Sequence, residues 1–178
     1  MSIKHDLFDK IKSPVFIETD RLTITDIENS DKDLYAKIYL DDDLNKWWGY
    51  DYREDLKGEE PTPDYFYSFQ KRLKEIKEEY LFIVRLNGIM IGELVLYNFG
   101  DDRAVEVGFR FFPEYQGKGY AKESANSLIE YAKTTLGAKK IKSRCFKENL
   151  PSRRLILSLG LSQTSEDTTH YYFEKIFD

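Results

Sequence analysis

Gln116-Gly117-Lys118-Gly119-Tyr120-Ala121 is the stretch whose reading organises the chain. Before it, Val105, Val107, Phe109 and Phe111 alternate with Glu106, Gly108 and Arg110; after it, Ala121, Ala125, Leu128, Ile129 and Ala132 share one helical face. A period of two followed by a period of 3.6 predicts a strand, a glycine loop and a helix. Glycines let backbone N–H groups come close to an anion, and a helix N-terminus carries roughly half a positive charge. Lys118 and Lys122 add charge of the same sign. By itself the hexapeptide reads either as an anion cradle or as a turn with two convenient glycines. Two common phosphate loops do not fit it. A P-loop needs glycine where Phe112 stands, and a dinucleotide fingerprint starting at Gly117 needs glycine in place of Lys122.

Working outward, Leu81 to Leu86, Asn87-Gly88 and Ile89 to Tyr97 give the strongest hairpin signal, because both residues of a type I′ turn need positive φ. Pro113 ends the strand that follows, and Gly137 is placed to cap the helix after the glycine loop. Lys140 to Phe146 reads as a strand, Asn149 and Pro151 open a short helix closed by Gly160, and Thr169 to Phe177 reads as the last strand. Toward the N-terminus, Ile3, Leu7, Phe8 and Ile11 predict a helix within residues 1–13, stopped by Pro14, and Val15 to Thr25 predicts one strand. Ser30 with Asp33 resembles a capping box ahead of a helix carrying Leu34 and Ile38. Asp41 to Pro63 is the least regular part. Asp64 is expected to cap a helix with Phe66, Phe69, Leu73, Ile76 and Tyr80 on its apolar face. The pattern predicts a single α/β (α+β) domain over residues 1–178, core from about 15 onward, with a mixed, mostly antiparallel sheet flanked by helices.

Composition narrows the function. With 178 residues, 41% hydrophobic, 33% charged and 15% aromatic, the chain buries a real core without staples. A net charge of −5 argues against general nucleic-acid binding. The longest apolar run, Tyr80 to Val84, is far too short for a membrane span, and Met1 to Pro14 has no signal-like apolar core. One cysteine, Cys145, suits a reducing cytoplasm and reads as buried packing. His5 and His170 lack partners at metal spacing, and Asp41-Asp42-Asp43 lacks the spaced oxygen ligands of a calcium loop, so no metal is expected.

Gln116, Gly119 and Ala121 satisfy the pattern Gln/Arg-x-x-Gly-x-Gly/Ala. Here the chain resembles the GCN5-related N-acetyltransferase (GNAT) superfamily, and more narrowly its branch of ribosomal-protein N-terminal acetyltransferases (RimJ/RimL-like). Glu18-Thr19-Asp20-Arg21-Leu22-Thr23-Ile24, Asn87 to Gly92, Val105 to Phe109, Glu148-Asn149 to Ser152 and Leu159-Gly160-Leu161 resemble further segments of that branch, in the same order.

The resemblance implies the GNAT fold and transfer of acetyl from acetyl-CoA to a primary amine by direct attack. The acceptor would be a protein N-terminus, a polyamine or an amino-bearing small molecule. It implies that backbone amides of Gln116, Gly117, Lys118, Gly119, Tyr120 and Ala121 bind the pyrophosphate. Backbone groups of Phe109, Arg110 and Phe111 would pair with pantetheine, and Asn149, Ser152 and Arg154 (or Arg153) would contact coenzyme A; the alternative for the two arginines is a pair of solvated helix charges. Glu106 matches the family's glutamate base; the alternative is a solvent-facing glutamate or a partner for Arg110. Ile156 replaces a common tyrosine acid, which leaves Ser152, a water or another tyrosine to return a proton to sulfur. Trp48, Tyr50 and Tyr52 would border the acceptor pocket, or pack on the core. A homodimer is compatible with the resemblance, and the alternative function is a non-catalytic CoA-binding module.

Overall fold

The computed structural model describes residues 6–178. Eight strands form one sheet in the order β1-β2-β3-β4-β5-β6-β8-β7. The strands are β1 (Phe16–Glu18), β2 (Leu22–Thr25), β3 (Glu79–Leu86), β4 (Ile89–Tyr97), β5 (Ala104–Phe111), β6 (Lys140–Phe146), β7 (Ser162–Glu166) and β8 (His170–Ile176). Every pairing is antiparallel except β5 with β6. That exception follows from the helix between them, because a parallel pair needs a crossover. The crossover is α6 (Tyr120–Tyr131), extended by a π-helical turn to Leu136 and stopped at Gly137. The Asn87-Gly88 hairpin forms as expected, with φ of 51° and 81°.

Alternation along the strands sends side chains into two cores. Phe82, Val84, Val105, Val107 and Phe111 face one side, under α6, α7 (Leu150–Ser158) and α1 (Asp6–Asp9). Leu81, Ile83 and Val95 face the other, under α2 (Lys32–Leu40) and α5 (Pro63–Glu75). The short helices α3 (Asp42–Asn45) and α4 (Tyr52–Leu56) sit in the segment that the sequence marks as irregular. Among the described residues no helix is long and apolar enough to cross a membrane.

Several boundaries differ from the sequence reading. Val15 to Thr25 is two strands, because Asp20-Arg21 breaks the run and the Thr19 amide bonds the Leu22 carbonyl at 2.9 Å. The capping box is Glu28 with Asp31, around a 3-10 turn at Asn29–Asp31; Asp31 is fixed there by two hydrogen bonds from Arg85, at 2.8 and 2.6 Å. Thr62 rather than Asp64 caps α5, accepting from the Tyr65 amide ahead of Pro63 at the first turn. That helix stops at Glu75, so Ile76 is 52% exposed and Tyr80 belongs to β3. The strand β7 carries no apolar alternation, and all five of its residues are exposed. Of the expected N-terminal helix, Ile3 lies outside the described residues, while Leu7, Phe8 and Ile11 are buried.

Gly92 on β4 lies opposite Phe111, and a Cβ there would stand 2.5 Å from the Phe111 ring and 2.6 Å from the Arg110 carbonyl. The end of β5 therefore sits against β4 only because residue 92 has no side chain. Gly92→Ala is expected to destabilise the fold by about 1–3 kcal/mol, read from the midpoint of urea unfolding; an unchanged midpoint would show that β4 and β5 separate freely there.

Candidate active site

The parallel ladder between β5 and β6 is short. It pairs Ala104 with Lys140, Val105 with Ile141 and Glu106 with Lys142, and then stops although both strands continue. Beyond it the Ser143 hydroxyl donates to the Val107 carbonyl at 2.9 Å, which closes off the last backbone group before the strands part. Gly108 to Phe111 thus keep one ladder edge, toward β4, and turn the other to a cleft. Phe109, Arg110 and Phe111 lie on that edge, where an extended chain can add as a strand does.

The glycine loop stands at the end of the cleft. Gly117 and Gly119 have φ of 72° and 84°, and Gly119 is the N-cap of α6. The first helical amide to bond is that of Glu123, to the Gly119 carbonyl; among the described residues none accepts from the amides of Lys118 through Lys122. These donors and the helix dipole fit a phosphate group. The Gln116 side chain points inward, donating to the Phe111 carbonyl at 2.9 Å. The loop is held from outside by Arg21, whose guanidinium donates to the Lys118 carbonyl at 3.1 Å and to Glu123 at 2.7 Å, over the Tyr120 ring. Burial would raise the Glu123 carboxyl, but hydrogen bonds from Thr19 and from the Arg21 amide and side chain outweigh it and hold the group below its ordinary range.

Glu106 lies on the opposite face of β5 from Val105 and Val107 and is 8% exposed. It neither faces solvent nor pairs with Arg110. Its Oε1 accepts from the Tyr97 hydroxyl at 2.6 Å and its Oε2 from Asn98 at 2.9 Å, with Arg144 Nε at 3.4 Å from Oε1. Burial, then the Glu106 charge, pushes the Tyr97 phenol far above its ordinary range, so Tyr97 stays a proton donor to Glu106. Arg110 instead pairs with Glu93, its cross-strand neighbour, at 2.7 Å; the Glu93 side chain is fully buried.

That pair anchors the aromatic segment. Arg110 lies between the rings of Tyr39 and Trp48, each 4.3 Å from its guanidinium carbon, and donates to Asn45 at 2.7 Å. Trp48 thereby covers Gly108, where a Cβ would come within 3.5 Å of the indole. Trp47 reaches the other strand, its ring 5.6 Å from that of Phe146. The two tryptophans therefore reach opposite sides of the cleft. The other expected wall residues do not join them. Tyr52 is 5% exposed and packs edge-on against Phe66, because α4 turns it into the second core. Tyr50 stacks on Phe69 and bonds Asp55 at 2.6 Å, one ring behind Tyr39.

On the far side, Asn149 caps α7, accepting from the Ser152 amide at 3.2 Å, so its side-chain oxygen is committed and its NH2 group is what remains for a ligand. Ile156 is fully buried in the first core, which removes any proton donor from that position. Arg154 is exposed, whereas Arg153 lies over the Tyr171 ring at 4.6 Å.

The family model described as the acetyltransferase (GNAT) domain matches residues 21–162. The chain belongs to the GNAT acetyltransferase family. It is similar to the uncharacterized N-acetyltransferase YnaD of Bacillus subtilis (strain 168), 34% identical over 84 residues, which span 47% of this chain and 49% of that protein. The match thus spans about half the length of that relative. In fold the chain resembles Mycobacterium smegmatis RimJ in complex with CoA-disulfide, with a TM-score of 0.76 and 17% identity over 92% of this chain and 88% of that one. It also resembles the Vibrio cholerae spermidine N-acetyltransferase in complex with CoA and spermine, with a TM-score of 0.76 and 19% identity over 88% and 95% of the two chains. Reading the sequence did not single out Arg21, Glu123, Tyr97, Asn98 and Arg144 for this candidate site. For Tyr97 the available signal was strand register, which sets it opposite Glu106 across β4 and β5.

One titration under the aromatic segment is testable. Burial, with the Glu93 charge behind it, pushes the carboxyl of Glu79 up to about 7 from its ordinary 4.5. Between those values the folded protein keeps a proton that the unfolded chain has lost. Stability therefore falls as pH rises through that window and levels off above it. Glu79→Gln is expected to stabilise the protein by on the order of 2 kcal/mol at pH 8 and scarcely at pH 4. Thermal melts at both pH values check this, and equal shifts would remove Glu79 as the titrating group.

Proposed function

We propose that the chain is a single N-acetyltransferase domain that moves acetyl from acetyl-CoA to a primary amine in a ternary complex. One observation carries the reading: a cleft in the sheet has unpaired amides, Lys118 to Lys122, at its end and an oriented carboxylate, Glu106, on the neighbouring strand face. The residues fit coenzyme A, since free loop amides suit a pyrophosphate and the open β5 edge suits an extended pantetheine. Acetyl-CoA supplies the activated acyl group.

The protein's own part is to bind, orient and take up a proton. An amine is protonated near neutral pH, with a pKa of about 8 for an α-amine and about 10 for a lysine-type group. Glu106 receives that proton, directly or through a water, while Tyr97 and Asn98 hold its oxygens in place. A backbone amide on the β5 edge polarises the thioester carbonyl, a contribution of ~3 kcal/mol in comparable sites. The C–N bond forms, the C–S bond breaks, and sulfur leaves with the electron pair. With Ile156 buried, the Ser152 hydroxyl in the first turn of α7 is the donor assigned to sulfur. Ile156 also favours the second reading, a CoA-binding module without turnover.

Amine-dependent thiol release from acetyl-CoA, measured across peptides, polyamines and aminoglycosides, tests the reading. Release with any amine class supports the enzyme. Binding of acetyl-CoA without release favours the module, and no binding overturns both. In the active protein, Glu106→Gln is expected to lower kcat by about a hundredfold or more while acetyl-CoA binding stays within twofold; an unchanged rate and pH profile would take Glu106 out of the mechanism. Arg21→Ala is expected to weaken acetyl-CoA binding about fivefold to thirtyfold, or ~1–2 kcal/mol, without moving the KM of the amine. Calorimetry checks it, and unchanged affinity would show that the loop holds its shape without Arg21.

A further inference from the structure

Glu106 is paired across the sheet with Lys142, and Arg144, two residues further along β6, shares that face. It stands just past the last paired residue, on the strand that walls the cleft. Two other arginines of the sheet are tightly spent: Arg110 on Glu93, and Arg85 on Asp31 with two bonds of 2.6 and 2.8 Å. Arg144 is not. Its side chain is 46% exposed; among the described residues its one carboxylate neighbour is Glu106 at 3.4 Å, and the phenols of Tyr97 and Tyr172 lie beside it. That carboxylate already accepts from Tyr97 and Asn98. The residue opposite Arg144 on β8 is Tyr172, whose hydroxyl donates to Asp167 at 2.6 Å. The guanidinium thus stays half exposed with no two-bond partner among the described residues, beside a carboxylate that would receive an ammonium group.

We propose that the acceptor is a small zwitterion, an amino acid bound with its ammonium at Glu106 and its carboxylate at Arg144. This deepens the acetyltransferase reading and rests on it. With Lys142 drawn toward Glu174 at 4.0 Å, Glu106 and Arg144 stand side by side as one negative and one positive group, and an amino acid completes an alternating set of four charges. A guanidinium matches a carboxylate with two parallel hydrogen bonds, a fit that a lysine would not give. The other acceptors fare worse. A polyamine brings a further cation next to Arg144 with nothing to offset it, and a peptide N-terminus has an amide where the guanidinium seeks an anion. Beyond the charges, Trp47, Trp48 and Phe146 offer an aromatic surface for the side chain of the acceptor.

The test compares the twenty common L-amino acids with their decarboxylated amines, spermidine and a tripeptide, using acetyl-CoA as donor. Amino acids are expected to exceed the matching decarboxylated amines in kcat/KM by about tenfold to a hundredfold, the range of a charged hydrogen-bonded contact. In Arg144→Gln the ratio should collapse toward one through the KM of the amino acid, with acetyl-CoA binding retained, and Arg144→Lys should restore it in part. Thiol release that favours spermidine or the tripeptide, or a preference for amino acids that survives Arg144→Gln, overturns the zwitterion while leaving the acetyltransferase standing. If no acceptor gives thiol release, calorimetry with the same amino acids on the CoA-loaded protein decides. Binding that is lost in Arg144→Gln supports the site, and absence of binding overturns it.

Discussion

The hydrogen bonds between β5 and β6 run out after Glu106 and Lys142, and the molecule is arranged around that interruption. Parallel strands normally stay paired, because each unpaired backbone group forfeits a bond that its neighbour could give. Here the Ser143 hydroxyl takes the Val107 carbonyl, and the strands beyond it are free to diverge. Divergence does two things together. It leaves the β5 edge open to a ligand, and it brings both faces of the sheet to the same gap, so groups positioned by separate cores can meet there.

Each core supports a different half of the site. On one side, α6 packs Ala125, Leu128 and Ile129 against β5, which sets the helix N-terminus and the glycine loop at the mouth of the gap. On the other, the Arg110–Glu93 pair, buried between strands, holds Trp48 over Gly108 and draws Asn45 down with it. Burying such a pair is costly unless its geometry is good, and removing one member would strand the other charge. A pair kept at that cost ties the aromatic segment to the strand that carries Glu106. Arg21 does a similar job for the loop across about a hundred residues of sequence, through Glu123 and the Lys118 carbonyl.

The elements legible in the sequence were those whose signal is local. The Asn87-Gly88 hairpin, the alternation of β5, the stripe of α6 and the Asn149 cap all follow from residues within one or two turns of one another. Where the reading slipped, a distant partner had decided. Asp31 rather than Ser30 fixes the start of α2 because Arg85 reaches it from β3. Tyr52 left the expected acceptor wall because Phe66, on another helix, offered it a core contact. The edge strand β7 had no apolar pattern to betray it, since it is a strand only through its pairing with β8.

The sequence by itself determined the sheet-and-helix plan, the glycine loop ahead of α6 and the placing of Glu106 on the face of β5 away from Val105, because each depends on spacing along one segment; the family resemblance needed several such segments in order. Tertiary structure decided what those pieces face. It gave Glu106 its partners Tyr97, Asn98 and Arg144, turned Arg110 inward to Glu93, set Trp47 and Trp48 on opposite sides of the cleft, and left Arg144 half exposed. The physical reason is that a charge in a sequence has no neighbours until register and packing supply them, and the chemistry of a site lies in those neighbours.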